Sequence, residues 1–172
     1  MDKRLQKEKN LKNVLWFFLK LNLFLIPFYL VIYFDVKYEP LQILFASAIK
    51  KFLSVFGFEI LQDSFILYLG PERYAVDISF DCIGWKSAYS LFALVISSPG
   101  LWKEKFAFLS KWLPLTFLIN FLRVIFALIV GFVFGFRIMA PLHDYVLQPF
   151  MIVLVLSLWM LYMNRRRFIE KK

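Results

Sequence analysis

The sequence predicts an all-α polytopic membrane protein with about four transmembrane helices, an amphipathic interfacial helix and a small external β-hairpin, in one integral-membrane domain over residues 1–172. Three observations predict it. Of the 172 residues, 61% are hydrophobic and 22 are phenylalanine, too apolar for a water-soluble domain of ordinary composition. Several runs are long and uncharged enough, or nearly so, to cross a hydrocarbon core of roughly 30 Å. Lysine and arginine gather in clusters that flank those runs, as in segments held on the cytoplasmic side of a membrane.

The elements follow in chain order. Residues 14–34 form the first apolar run. It is long, and no small-x-small cleavage site follows it, so it reads as a retained helix rather than a signal peptide. The stretch "YEPLQILFASAIKKFLSVFGFEI" is apolar except where Ser47, Lys50, Lys51 and Ser54 recur at helical spacing. One polar face on an oily helix predicts an element lying at the outer interface. In "RYAVDISFD", Tyr74, Val76, Ile78 and Phe80 alternate with Ala75, Asp77, Ser79 and Asp81, the period of a half-buried strand. Gly70 and Pro71 supply its turn, giving a hairpin whose second strand runs into a helix that begins at Cys82. The spans at 83–101, 112–134 and 145–163 complete the set, Lys86 snorkelling from the third-last of them toward the near interface.

With four crossings the basic clusters fall on one side. Lys3, Arg4, Lys7, Lys9 and Lys12 precede the first span; Lys103, Lys105 and Lys111 precede the third; Arg165, Arg166, Arg167, Lys171 and Lys172 follow the fourth. Both termini are then cytoplasmic, and residues 37–81 and 135–144 lie outside. The net charge of +9 therefore points to membrane lipids, not nucleic acid, and the Phe and Trp content is bilayer-facing packing rather than a base-stacking platform.

Three side chains stand out against this background. Cys82 is the only cysteine, so no intramolecular disulfide occupies it. At a helix start, with Lys86 one turn on, its thiol is expected to ionise more readily than usual; the plainer reading is a small residue packed at a helix end. Arg123 lies about eleven residues into its span, near the bilayer middle at roughly 1.5 Å per residue if the helix begins at Trp112 and nearer the outer surface if it begins earlier. An arginine there costs roughly 2.5 kcal/mol or more, and Asn120 shares its face. The plainer reading pairs Arg123 with a carboxylate or carbonyl that locks helices together. His143, the only histidine, falls on the same side as Cys82. A cysteine, a histidine and a buried arginine on one face supply a nucleophile, a base and an oxyanion-stabilising cation. Arg137 and Lys86 are weaker choices for the cation, and Asp77, Asp81 and Asp144 are all available to orient His143. One Cys and one His do not make a tetrahedral metal site. There is no phosphate loop, dinucleotide fingerprint or GxSxG elbow, so no cofactor is called for.

A strand leading into "DCIGWKS", then "NFLR" in a later span, then "PLHDY" before the last, resembles the exosortase and archaeosortase transpeptidases over roughly residues 60–150. That family has a Cys-x-Gly motif, a later Asn-x-x-Arg motif and a third His or Arg. The matching positions are Cys82 with Gly84, Asn120 with Arg123, and His143, with Ile83 where a small serine is usual. The resemblance implies a membrane cysteine transpeptidase or protease whose partners are secreted proteins ending in a short motif, a hydrophobic span and a basic tail. It implies Cys82 as nucleophile, Arg123 as transition-state stabiliser and His143 as general acid and base, with an acyl-thioester passed to an amine of a lipid- or glycan-linked acceptor. Gly84, Lys86 and Asn120 are supporting positions. The alternative from another class is a non-catalytic scaffold or transporter subunit, in which Arg123 faces a cavity separate from Cys82.

Overall fold

The computed structural model describes residues 3–70 and 74–169. Pro71, Lys171 and Lys172 lie outside them, as do the side chains of Lys3, Arg4, Lys7, Lys9, Arg166 and Arg167. The chain is mostly helical, with one small sheet. Its elements are α1 (Lys3–Tyr33), α2 (Glu39–Val55), strands β1 (Ile60–Asp63), β2 (Ile66–Leu69) and β3 (Tyr74–Asp77), a 3-10 turn (Phe80–Ile83), α3 (Trp85–Ser97), α4 (Trp102–Phe134), α5 (Phe136–Pro141), a π-helical turn (Leu142–Leu147) and α6 (Gln148–Ile169).

Among the described residues, three helical stretches are long and apolar enough to cross a membrane: Leu11–Tyr33, Trp102–Phe134 and Phe136–Arg165. The fourth expected span differs. α3 has 13 residues, about 20 Å at 1.5 Å per residue, because Gly84 separates it from the preceding turn and Pro99 and Gly100 follow its end. The helix is instead largely enclosed by its neighbours. Leu91, Ala93 and Val95 are fully buried, and α3 packs against α1, α4 and α6. Tyr89 donates to the Phe24 carbonyl of α1 at 2.7 Å. Trp159 Nε1 of α6 donates to Ser98 Oγ at 2.8 Å, just past α3. Where lipid tails are as apolar as the side chains, such bonds and close packing hold helices together.

The amphipathic helix is present as α2. Pro40 sits in its first turn, where the missing N–H is no loss. At its far end Gly57 takes φ 83°, Gly57 N–H donates to Ser54 O and Phe58 N–H to Leu53 O, the paired bonds of a Schellman stop. Ala46, Ile49 and Leu53 are buried while Lys51 and Ser54 remain exposed. The expected hairpin is a three-stranded antiparallel sheet in the order β1-β2-β3. Its register pairs Asp63 with Ile66 and Ile66 with Asp77. The second predicted strand is shorter than its alternation implied, ending at Asp77.

α4 links two packed regions. Its later residues Val124, Ile125, Ala127 and Leu128 join α2, the sheet and Met139 of α5, and its earlier residues Phe108 and Leu109 join α3 and α6. One amide of α2 holds the chain ahead of Cys82, and one of β1 ties the sheet to α2. Gln42 Nε2, buried, donates to Ile78 O at 3.0 Å, and Gln62 Nε2 donates to Ser47 Oγ at 3.0 Å and to Ser64 O at 2.7 Å.

Candidate active site

Cys82 is not in the first turn of α3. It occupies the 3-10 turn Phe80–Ile83, closed by Cys82 N–H donating to Ser79 O at 2.9 Å and Gly84 N–H to Asp81 O at 3.3 Å. Gly84 leaves that turn at φ 88° and begins α3. The expected contribution of the α3 dipole to the thiol is therefore replaced by closer groups. Ser79 Oγ lies 3.3 Å from Cys82 Sγ, and the His143 imidazole faces the same cleft and lowers the thiol pKa. Burial is the largest single influence on Cys82 and pushes its pKa up. The bonds from His143 and Ser79, with the charges of His143 and Arg123, outweigh it together and leave the thiol below its ordinary value.

Lys86 does not act on the thiol directly; its ammonium pairs with Asp81 Oδ2 at 2.6 Å. That pairing removes Asp81 as the orienter of His143. Asp144 has the position instead, its Oδ1 being 3.0 Å from His143 Nδ1 and 3.4 Å from Gln148 Nε2. The expected loop around His143 is helical. His143 lies in the π turn between α5 and α6, a wide turn that recurs at functional sites.

Asn120 and Gly84 form one device. Asn120 is 1% exposed, and its Nδ2 donates to the Cys82 carbonyl at 2.7 Å. A Cβ on Gly84 would stand 2.6 Å from Asn120 Cγ, so only glycine permits both the left-handed backbone and the approach of α4. Gly84→Ala is expected to destabilise the protein by about 1–3 kcal/mol from the backbone conformation alone. A thermal melt of the detergent-solubilised protein reads this, and an unchanged midpoint would show that the turn relaxes freely.

Arg123, one turn beyond Asn120, opens into the same space. A cleft of about 290 Å³ is lined by Ser79, Cys82, Gly84, Lys86, Asn120, Arg123, His143 and Gln148, with Met151 and Ile152 on its α6 side. The Arg123 Nε is buried without a hydrogen-bond partner, and no carboxylate ion-pairs with Arg123 among the described residues. Arg137 is exposed and does not line this cleft. Cys82, Arg123, His143, Gly84, Lys86 and Asn120 thus meet around one space, while Asp77 lies on a neighbouring cleft. Ser79 and Gln148 gave no sequence signal, being ordinary polar residues whose relation to Cys82 and Asp144 is set by the turn geometry.

The arrangement places a thiol with raised acidity against an imidazole, beside a guanidinium that has unused donors. Such a set can attack a carbonyl, move a proton and hold an oxyanion. No curated protein and no solved structure matches the chain. The family model described as transmembrane exosortase matches residues 9–159, which includes every residue of the cleft. The chain belongs to the transmembrane exosortase family.

Proposed function

We propose that this protein is a cysteine transpeptidase that cleaves the C-terminal sorting signal of secreted proteins at the outer face of the cell membrane. The convergence of Cys82, His143 and Arg123 on one cleft carries the reading, and the family's transpeptidase character supports it. The Cys82 thiolate attacks the scissile carbonyl and forms a C–S bond. Arg123 holds the oxyanion. As the C–N bond breaks, His143 gives its proton to the leaving amine. An acceptor amine on a lipid- or glycan-linked group then attacks the thioester and gives its proton to the now neutral His143; the new C–N bond forms as the C–S bond breaks, returning the thiolate and the imidazolium. The scaffold alternative required Arg123 and Cys82 to face separate spaces, and the shared cleft favours catalysis.

The whole chain acts as one membrane domain in this reading, with both termini cytoplasmic. α3 makes the fourth crossing between α1 and α4. Short helices and non-helical backbone are tolerated at membrane depth where protein, not lipid, surrounds them, and α3 is enclosed by α1, α4 and α6. Mass spectrometry of the enzyme from cells co-expressing tailed substrates is expected to find an acyl group on Cys82, ending at the cleavage site. Efficient processing by Cys82→Ala would overturn the mechanism.

A further inference from the structure

The Cys82–His143 pair has a second space on its other side. A cleft of about 220 Å³ is walled by Val76, Val124, Ala127, Leu128, Phe136 and Met139, and it shares Cys82 and His143 with the polar cleft. Its size falls below the roughly 300–1,000 Å³ of small-molecule sites, which suits one side chain rather than a separate ligand. The lining is apolar, and the carboxylates it contains, Asp77 and Asp144, repel an acidic occupant.

The two clefts differ in depth along α4. Asn120 and Arg123 border the polar one, and Val124, Ala127 and Leu128 border the apolar one, centred about 7 Å further toward the C-terminal end of the helix at 1.5 Å per residue. On α6, Met151 and Ile152 line the polar cleft alone, again on the side leading into the bundle. We infer that the apolar cleft is the specificity pocket for the substrate residue that supplies the scissile carbonyl, and that it selects an apolar side chain over an acidic one there. This rests on the proposed topology and transpeptidase reading. The leaving segment of a tailed substrate continues into the membrane past the polar cleft, so the acyl segment extends outward. A carbonyl carbon at Cys82 Sγ then puts the side chain of its own residue into the outer space.

Met139 sets the size of this pocket. It is 7% exposed, and a Cβ on Gly131 would stand 2.6 Å from its Sδ. The thioether end is flexible, and the cleft is the open side toward which it can yield. Gly131→Ala therefore narrows the pocket and Met139→Ala widens it. Neither residue touches the reacting atoms.

The test uses the full chain in membranes with tailed reporter substrates, after the acylated Cys82 has defined the cleavage site. The residue preceding that site is varied as Ala, Val, Leu, Phe and Asp, and initial cleavage rates are compared as ratios, so that loss of folded enzyme cancels. Wild-type enzyme is expected to prefer an apolar residue and to reject Asp. Met139→Ala is expected to raise the Phe-to-Val ratio by about tenfold or more, and Gly131→Ala to lower it, since a methylene in an apolar pocket is worth roughly 10- to 200-fold. Cleavage through Cys82 with the same ratio in both variants, or with Asp accepted as well as Leu, overturns the pocket and leaves the transpeptidase reading standing. Failure of wild-type enzyme to cleave or acylate at Cys82 overturns that reading and the pocket with it.

Discussion

His143→Ala is expected to slow substrate processing by roughly 100- to 10,000-fold, the usual worth of general acid-base assistance, while the protein still accumulates in the membrane. The expected effect is at the high end because the imidazole has two tasks. It lowers the pKa of the Cys82 thiol, and in the proposed mechanism it gives the proton to the leaving amine. Asp144 Oδ1 holds its Nδ1 at 3.0 Å, which fixes the ring for both. The pH profile separates the tasks. In the proposed mechanism the Cys82 thiolate is the nucleophile, so activity is expected to rise with pH as Cys82 ionises. Because its pKa is held below the ordinary 9.0, the acid limb of the wild-type profile lies below that value. Without His143, burial acts on the thiol with less opposition, and the limb should move to higher pH. A variant that keeps both the normal rate and the normal limb would make His143 a bystander.

Much of the scaffold was legible because its causes are local. Long apolar runs announced α1, α4 and α6, the Ser47, Lys50, Lys51 and Ser54 spacing announced α2, and alternation through Tyr74 and Val76 announced β3. What the sequence hid depends on contacts between distant segments. β1 was missed because Ile60–Asp63 continues the apolar run of α2 without its own alternation; its strand character comes from pairing with β2. α3 was overestimated in length because hydropathy does not register the left-handed turn at Gly84. The external segment through His143 follows a helical path rather than a loop: Pro141 ends α5 without breaking it, and it widens into a π turn.

The site shows the same division. Cys82, Arg123 and His143 stood out as chemically unusual residues in an apolar chain, and their order carried the family resemblance. Their partners did not stand out. Nothing in the sequence chose Asp144 over Asp81 beside His143, and the choice follows from Lys86 pairing with Asp81. Asn120 and Gly84, separated by all of α3 and about half of α4, are a single packing contact, so a substitution at either is expected to disturb the other.

Arg123→Lys is expected to lower turnover by roughly 100- to 1,000-fold, equivalent to the 3–4 kcal/mol commonly lost with one oxyanion donor. The substitution keeps the charge, so it separates two roles. A cation that merely balances a buried carboxylate tolerates lysine, but no carboxylate ion-pairs with Arg123 among the described residues. An oxyanion needs donors at fixed positions, which the planar guanidinium supplies and a flexible ammonium does not. Among the described residues the buried Nε of Arg123 has no hydrogen-bond partner. Lys should therefore leave substrate binding nearly intact, read by crosslinking of a tailed substrate, while acyl-Cys82 fails to build up. The deficit should lie in the acylation step, and Asn120 should still hold the Cys82 carbonyl, since that bond does not involve Arg123. A lysine variant that forms acyl-enzyme at the normal rate would remove Arg123 from the oxyanion site and reduce it to a charge near the thiol.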